Sequence, residues 1–399
     1  MGTGGDGVMA KLGEICTINP KGYSLSEDVE VSFVSMTKVG EHGEFDSSEI
    51  KKYSEAKKGF TSFQDGDVLF AKITPCMENG KGAIAQGLKN GYGFGSTEFH
   101  VLRPHTDQIT AEWLYYLTTW DIFRKNAAKN MTGSAGQKRV PKTFLENYSI
   151  DLPDVKAQNQ QCRKLKKVDF LISLRKQQLA KLDELVKARF VEMFGDPINN
   201  PMKWIVSKIE DIAAQEKNAL KAGPFGSALK KEFYVKSGYK IYGQEQVICG
   251  DASFGGYYID EEKYKELKNC AVQAGDILIS LVGTYGKTLI MPDNHEAGII
   301  NPRLMKITLN KNKVTPIYFK YYFESDALKA SMDANTHGGT MGILNLGIIR
   351  QMKIQVPPLS IQNQFATFVE RVAQQKQTVQ QSIDKLELMK KALMQEYFG

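Results

Sequence analysis

The sequence predicts an α+β protein in which two tandem, pseudo-repeated globular α/β domains are separated by two long antiparallel coiled-coil helices. Three observations predict this fold class. The second half of the chain repeats landmarks of the first half in the same order. Short β-branched or aromatic segments lie between Gly and Asp residues, which is typical of strands joined by turns. Two stretches of about 35 residues contain neither Gly nor Pro, which is typical of long helices.

The repeat is clearest near the end of each half. The segments 150–153 (Ile-Asp-Leu-Pro) and 158–160 (Gln-Asn-Gln) recur at 354–357 (Ile-Gln-Val-Pro) and 362–364 (Gln-Asn-Gln), with a constant shift of 204. Further upstream the halves still correspond, although insertions change the shift and the loop sequences diverge strongly. Landmarks that recur in the same order between different loop sequences predict two domains that share one fold and differ in their surfaces.

Within each half, a β-rich segment comes before a helical one. Segments 67–71 and 276–280 are short, apolar and bounded by Gly and Asp, so we expect strands there. Segments 110–127 and 315–332 carry apolar residues at helical spacing and are predicted to lie as helices against the strands.

Each half closes with a helix that begins after Pro153 or Pro358 and ends at a Phe-Gly pair. We therefore predict globular domains over 1–152 and 201–356, and helices over 153–200 and 357–399. At 1.5 Å per residue such helices are roughly 60 Å long, too long to lie wholly on a globule of 150 residues, so we expect them to pack antiparallel and hold the globules apart. The apolar three-four spacing predicts a coiled-coil seam made of Val168, Ile172, Leu179, Leu182, Val186, Val372, Val379, Leu386, Met389 and Leu393.

Composition narrows the class of protein. The chain has 399 residues, of which 42% are hydrophobic, enough for two ordinary cores. It carries 52 Lys and Arg against 45 Asp and Glu, an excess that suits a polyanionic partner without requiring one. The five cysteines are scattered and form no C-x-x-C pair, so we expect neither a disulfide framework nor a zinc ribbon. No secretory signal and no apolar run of 18 residues is found, which predicts a cytoplasmic protein.

Motifs for catalysis, metals and cofactors are not recognisable. The five His residues form no H-x-x-x-H or H-E-x-x-H pattern, so no metal site is predicted. The run 283–288 resembles a phosphate loop, but Leu281 stands where that motif needs Gly. No G-x-G-x-x-G opens a βαβ unit. We therefore expect a chain with no catalytic residue, no metal and no cofactor.

The chemistry that remains lies in loops rich in Gly, Lys, Thr, Asn and Gln. Such residues donate hydrogen bonds to phosphates and base edges, and Gly permits close approach of the backbone. The alternative for any single loop is a solvated turn, and recurrence in both halves favours binding. The loops are 78–82, 132–139, 226–231, 283–287 and 338–340.

The order of these landmarks resembles a known family. Segments 12–15 and 209–212 open the two halves, Gly-Asp-Val-Leu and Gly-Asp-Ile-Leu strands follow, and each half ends with the Pro and Gln-Asn-Gln joint and a long helix. Together with Gly-Ser-Ala-Gly-Gln-Lys at 133–138, this pattern resembles the specificity (S) subunits of Type I restriction-modification systems, the HsdS family, over nearly the whole chain.

The resemblance implies a non-catalytic DNA-recognition subunit. Each globule would be a target-recognition domain that reads one half of an asymmetric, bipartite double-stranded DNA sequence. The helices would set the spacer and dock two methyltransferase (M) subunits. S-adenosylmethionine and the transfer of a methyl group to adenine would belong to those partners. Whether restriction (R) subunits join the complex is left open.

On this interpretation the loop residues become candidates for DNA contacts. Candidates for phosphate or guanine contacts are Lys72, Lys81, Lys138, Arg139, Lys230, Lys231, Lys287 and Arg303. Candidates for base edges are Asn79, Gln137, Thr284, Tyr285 and Thr340. Thr74, Gly133, Ser134 and Gly283 lie in the same loops and complete the predicted DNA-binding set.

Two rival classes were weighed against this interpretation. A chain that itself methylates or cleaves DNA would need the motifs that are missing. A non-catalytic coiled-coil scaffold, whose globular domains bind protein or glycan, explains the helices but not the loop chemistry. DNA binding with a steep dependence on salt distinguishes the specificity subunit from the scaffold.

Overall fold

The structure, a computed structural model, describes residues 8–134, 136–335 and 344–399. The chain divides into two compact units. The first unit consists of Met1–Lys176 together with Gln381–Gly399, and the second consists of Gln177–Gln380. Each unit therefore contains one globule and a part of both long helices, a division that does not follow the linear order of the chain.

The first unit holds ten strands and five short helices among its described residues. The strands are β1 (Val8–Lys11), β2 (Cys16–Ile18), β3 (Glu30–Val34), β4 (Ile50–Lys52), β5 (Thr61–Gln64), β6 (Val68–Ala71), β7 (Gly82–Ile84), β8 (Tyr92–Gly95), β9 (Phe99–Pro104) and β10 (Ser149–Leu152). The helices are α1 (Leu12–Ile15), α2 (Tyr53–Ala56), α3 (Ala111–Thr119), α4 (Asp121–Lys129) and α5 (Lys142–Asn147), followed by the long α6 (Val155–Phe194). The strands form sheets in the orders β2-β9-β6-β7, β4-β3-β8-β5 and β1-β10.

The second unit repeats this plan. Its strands are β11 (Ile205–Lys208), β12 (Leu220–Ala222), β13 (Tyr239–Tyr242), β14 (Tyr258–Ile259), β15 (Ile277–Ser280), β16 (Thr288–Ile290), β17 (Gly298–Ile300), β18 (Leu304–Ile307) and β19 (Lys353–Val356). Its helices are α7 (Ile209–Ile212), α8 (Gln244–Cys249), α9 (Glu261–Glu266), α10 (Pro316–Phe323), α11 (Asp326–Asn335) and α12 (Leu346–Gln351), and the chain ends with α13 (Leu359–Phe398). The sheet orders are β12-β18-β15-β16, β14-β13-β17 and β11-β19.

Equivalent strands keep the same pairing in both units. The pair β3 and β8 is parallel, and so is the corresponding pair β13 and β17, whereas β6 and β9 are antiparallel like β15 and β18. This shared topology confirms the predicted α+β fold class built on a duplicated frame.

A buried carboxylate explains the repeated Gly-Asp before the central strands. Asp67 accepts hydrogen bonds from the Arg103 guanidinium at 2.8 Å and from the Gln64 N–H at 2.8 Å. Asp276 accepts from the Lys306 ammonium at 2.9 Å and from a backbone N–H at 2.9 Å. Because a buried charge is tolerated only when it is paired, each Asp anchors a turn to the neighbouring strand.

Each predicted domain helix is in fact two helices. The helix expected over 110–127 breaks at Trp120, whose backbone is extended and whose side chain is buried. The helix expected over 315–332 breaks at Ser325, whose hydroxyl accepts a hydrogen bond from the Leu328 N–H and thereby caps α11. Apolar spacing alone does not reveal a break between two helices that bury the same face.

The Gln-Asn-Gln joint fastens each long helix to its globule. The Gln158 side chain is fully buried, accepts from the Thr110 N–H at 2.9 Å, and donates to two backbone carbonyls at 2.8 and 2.9 Å. Gln362 repeats this pattern with the Thr315 N–H at 2.8 Å and two carbonyls at 2.9 and 2.8 Å. The repeated motif therefore encodes a buried amide that satisfies three backbone groups.

The helices α6 and α13 pack together in an antiparallel direction. In the first unit Asp169 pairs with Lys390 at 2.6 Å and Lys176 with Glu387 at 3.7 Å, so later residues of α6 meet earlier residues of α13. Of the predicted seam residues, Val168, Ile172, Val186, Val372 and Val379 are buried, and Leu179, Leu182, Leu386 and Leu393 are half-buried.

The prediction of the seam is wrong at one residue, Met389. Met389 is 52% exposed, whereas Ile383 and Met394, which the prediction omitted, are buried. Counting from Val379 in alternating steps of four and three residues, the seam positions are 383, 386 and 390, and Lys390 forms its ion pair at the last of these. Met389 is not a seam position and lies on the outer face of the helix.

The Phe residues at the ends of the two long helices complete the opposite globules. Phe194 is 1% exposed and packs its ring 4.7 Å from Tyr318 in the second unit. Phe398, the equivalent residue at the end of α13, packs 4.8 Å from Trp113 in the first unit. The core of each globule therefore needs the end of a helix from the other repeat.

Replacing Gln362 by Leu is expected to lower the free energy of unfolding by about 2–4 kcal/mol, because three buried backbone groups lose their partner. The matched control is Gln364→Leu, since Gln364 is exposed on the same turn of helix. Chemical denaturation of the full chain measures both variants, and equal shifts in the midpoint would contradict the role given to Gln362.

Candidate nucleic-acid interface

In the first unit the structure brings two predicted loops together. The loop after β6 carries Lys72 and Thr74, and the loop before α5 carries Lys138. The Thr74 N–H donates to the Lys138 carbonyl at 3.0 Å, and the Lys138 N–H donates to the Thr74 hydroxyl at 3.2 Å. The Val140 N–H donates to the Lys72 carbonyl at 2.9 Å. The two loops therefore form one surface.

This surface presents polar groups to solvent. The predicted contact residues that lie exposed on it are Asn79, Gly133, Ser134, Gln137 and Lys138. Lys72 is half-buried and lines a polar pocket of about 340 Å³ together with Asn19, Tyr23 and Lys57. Amide, hydroxyl and ammonium groups on a ridge beside a pocket are suited to hydrogen bonds with phosphates and base edges.

Two of the predicted cations form hydrogen bonds with other groups of the protein. Arg139 donates to both carboxylate oxygens of Glu98, at 2.8 and 3.0 Å, and to the Gln137 carbonyl at 3.1 Å. Hydrogen bonding to Arg139 lowers the pKa of the Glu98 carboxyl. Lys81 is half-buried and donates to the Met36 carbonyl at 3.1 Å. These hydrogen bonds hold the loops in place, while the Arg139 side chain remains 41% exposed at the surface.

In the second unit Arg303 connects the corresponding elements. The Leu281 N–H donates to the Arg303 carbonyl at 3.0 Å, just as the Lys72 N–H donates to the Glu98 carbonyl at 2.9 Å in the first unit. The duplicated frame thus presents Arg303 where the first unit has Glu98. The Arg303 guanidinium is exposed and donates to the Gln244 amide oxygen at 3.4 Å.

The remaining predicted residues of the second unit differ in their surroundings. Gly283 and Thr284 are exposed on the turn between β15 and β16, and Lys287 and Tyr285 are half-buried, with Tyr285 packed on the core. Lys230 and Lys231 are exposed, and Lys230 lies 3.4 Å from Glu232, whereas Thr340 falls outside the described residues.

One pair of loops was missed by the sequence analysis. The loops 19–22 (Asn-Pro-Lys-Gly) and 223–226 (Gly-Pro-Phe-Gly) follow the edge strands β2 and β12 of the equivalent sheets. The Asn19 N–H donates to the Val101 carbonyl at 2.7 Å, whereas the Gly223 N–H donates to the Leu304 carbonyl at 2.9 Å. The second loop therefore leaves its strand two residues later in the shared register than the first.

A buried histidine links the loops of the first unit. His100 Nε2 lies 2.8 Å from the Val140 carbonyl, which can only accept, so Nε2 carries the proton. His100 Nδ1 then accepts from the Asn19 amide at 3.0 Å. Burial lowers the pKa of His100, and the neutral ring is the form that satisfies both neighbours. His100 thus ties loop 19–22 to the end of loop 132–139.

The first unit is expected to lose stability as the pH falls below about 6.5, the ordinary pKa of histidine. The pKa of the folded state is lowered, so the contribution of His100 is complete above the ordinary value and is lost as the pH falls towards the lowered one. The unfolding midpoint at pH 7.5 and 5.5 measures this effect. The variant His100→Gln should show a smaller difference between the two pH values, and the same difference would contradict the assignment.

Metal ligands and membrane-spanning helices were also sought. Within the described ranges, no three His, Cys, Asp or Glu side chains come together in a way that could hold a metal ion. Among the helices of those ranges, none has both the length and the apolar character that crossing a bilayer requires.

Comparison with known proteins identifies the family. The model of the Type I restriction modification DNA specificity domain matches residues 6–184 and again residues 201–388. The chain therefore belongs to this family and carries two copies of its domain.

Two curated relatives come from Escherichia coli. The Type I restriction enzyme EcoEI specificity subunit is 43% identical over 176 residues, which cover 43% of this chain and 29% of that relative. The Type I restriction enzyme EcoAI specificity subunit is 47% identical over 150 residues, which cover 37% of this chain and 25% of the relative. The matched part of the chain spans less than a third of the length of either relative.

Solved structures share the fold. A chain described under "Structural basis underlying complex assembly and conformational transition of the type I R-M system" aligns with a TM-score of 0.63 and 19% identity, over 98% of this chain and 97% of that one. The S subunit of a Type I restriction-modification system from M. genitalium aligns with a TM-score of 0.52 and 12% identity, over 100% and 98% of the two chains.

Proposed function

We propose that this chain is the DNA-specificity subunit of a Type I restriction-modification complex and that each globule reads one half of an asymmetric, bipartite target. The observation that carries the proposal is the duplicated frame with divergent exposed loops. The same backbone hydrogen bonds support Glu98 in one unit and Arg303 in the other. Two readers with different side chains on equivalent loops predict two different half-sites.

The exposed groups suit the chemistry of duplex DNA. Lysine side chains neutralise phosphates without selecting a base, whereas amides and the arginine guanidinium form paired hydrogen bonds with base edges in the major groove. In the first unit Lys138 serves the first role and Gln137 and Asn79 the second. In the second unit Arg303 is suited to guanine, beside the exposed turn that carries Thr284.

The proposal gives this chain no catalytic step. Methyl transfer to adenine, with S-adenosylmethionine, is assigned to two methyltransferase subunits that dock on the long helices in the cytoplasm. Restriction subunits are an optional further partner. If both domains read the same face of B-DNA, the half-sites lie about 10 bp apart from centre to centre, which leaves a gap of about 5–8 bp.

The purified full chain is expected to bind duplex DNA with an affinity that falls steeply as the salt concentration rises, because phosphate contacts release counterions. Fluorescence anisotropy with a labelled random-sequence duplex at several salt concentrations measures the slope. A chain that binds no duplex even at low salt would instead favour the alternative of a coiled-coil scaffold whose globules bind protein or glycan.

The variant Lys138→Ala is expected to weaken binding to all DNA sequences alike and to reduce the slope of log affinity against log salt by about one, because one phosphate contact is lost. Lys181→Ala is the matched control, since Lys181 is an exposed lysine on α6 that pairs with Glu184 at 2.7 Å. Equal slopes for Lys138→Ala and the unmodified chain would remove Lys138 from the interface.

A further inference from the structure

The loop 223–226 displays an apolar residue at its third position. This residue is Phe225, and its side chain is exposed. Phe225 is 83% exposed, more than the other large hydrophobic side chains of the described chain. A single exposed apolar residue is ordinary on a protein surface, so its meaning depends on what holds it there.

The loop that carries Phe225 is held closely against the neighbouring strand connection. A Cβ atom at Gly223 would clash with the Asn301 carbonyl oxygen, so the backbone fits there only without a side chain. Pro224 fixes the next φ angle, and the Ala228 N–H donates to the Phe225 carbonyl at 3.2 Å. Leu229 is buried in the core and anchors the far end. Phe225 is thus presented to solvent by a well-supported loop.

The surroundings of Phe225 favour a polyanion. Gly223 lies against Asn301 and Pro302, and the next residue along the chain is the exposed Arg303. The exposed Lys230 and Lys231 follow the loop along the chain. An apolar ring on a loop that lies against the residues before Arg303 complements a duplex, whose phosphates are negative and whose major groove offers one apolar feature, the methyl group of thymine.

We propose that Phe225 is a specificity-determining residue that makes an apolar contact with a thymine methyl group in the half-site read by the second unit. This inference rests on the proposed function of the chain.

The test uses the full chain and a library of duplexes with randomised bases, from which bound molecules are recovered and sequenced. The unmodified chain should enrich a two-part motif with a thymine at one or more positions. Phe225→Ala should reduce the preference for thymine about fivefold or more at one of these positions and leave the other half of the motif unchanged. Phe225→Leu should retain the preference.

A second measurement isolates the methyl group. Replacing that thymine by deoxyuridine should lower the affinity of the unmodified chain about fourfold and leave the affinity of Phe225→Ala unchanged. An unaltered motif with Phe225→Ala, or equal effects of deoxyuridine on both proteins, would overturn the inference. Failure of the unmodified chain to enrich any motif would instead contradict the proposed function itself. Because Phe225 is exposed, the unfolding midpoint of Phe225→Ala should equal that of the unmodified chain.

Discussion

The structure depends on the packing of the aromatic ends of the two long helices. Phe194 belongs to the first repeat but is buried beside Tyr318 in the second unit, and Phe398 belongs to the second repeat but packs, half-buried, beside Trp113 in the first. Full burial of a Phe side chain such as Phe194 contributes about 3 kcal/mol, a large fraction of the stability of an ordinary domain. Neither globule is complete without the other repeat, so each helix must span from its own joint to the opposite core.

The same constraint distinguishes the residues that stabilise the fold from the residues that can vary. The buried amide of Gln362, the buried carboxylate of Asp276 and their counterparts in the first unit satisfy backbone groups and fix the frame. The exposed side chains of the loops between these anchors differ between the units. Glu98 and Arg303 stand on equivalent backbone positions with opposite charges. A protein built in this way can change what each unit binds without changing its fold.

The repeated order of strands and helices could be predicted from the sequence because local motifs mark it in both halves. A Pro followed by Gln-Asn-Gln marks each joint, and Gly-Asp before an apolar run marks each central strand. The interface was less predictable, because exposure depends on contacts between distant segments. Arg139 was predicted to contact DNA, and nothing near it in the sequence indicates its ion pair with Glu98, which lies 41 residues away. Phe225 belongs to no polar pattern, and only its exposure in the folded chain draws attention to it.

The most direct test of the account is a map of methylated adenines across the host genome after co-expression of the chain with the neighbouring candidate methyltransferase. The account predicts a single asymmetric motif of two different parts separated by a fixed gap, because two different readers share one chain. An assembled complex of chain and methyltransferase that produces no modification dependent on this chain would contradict the account.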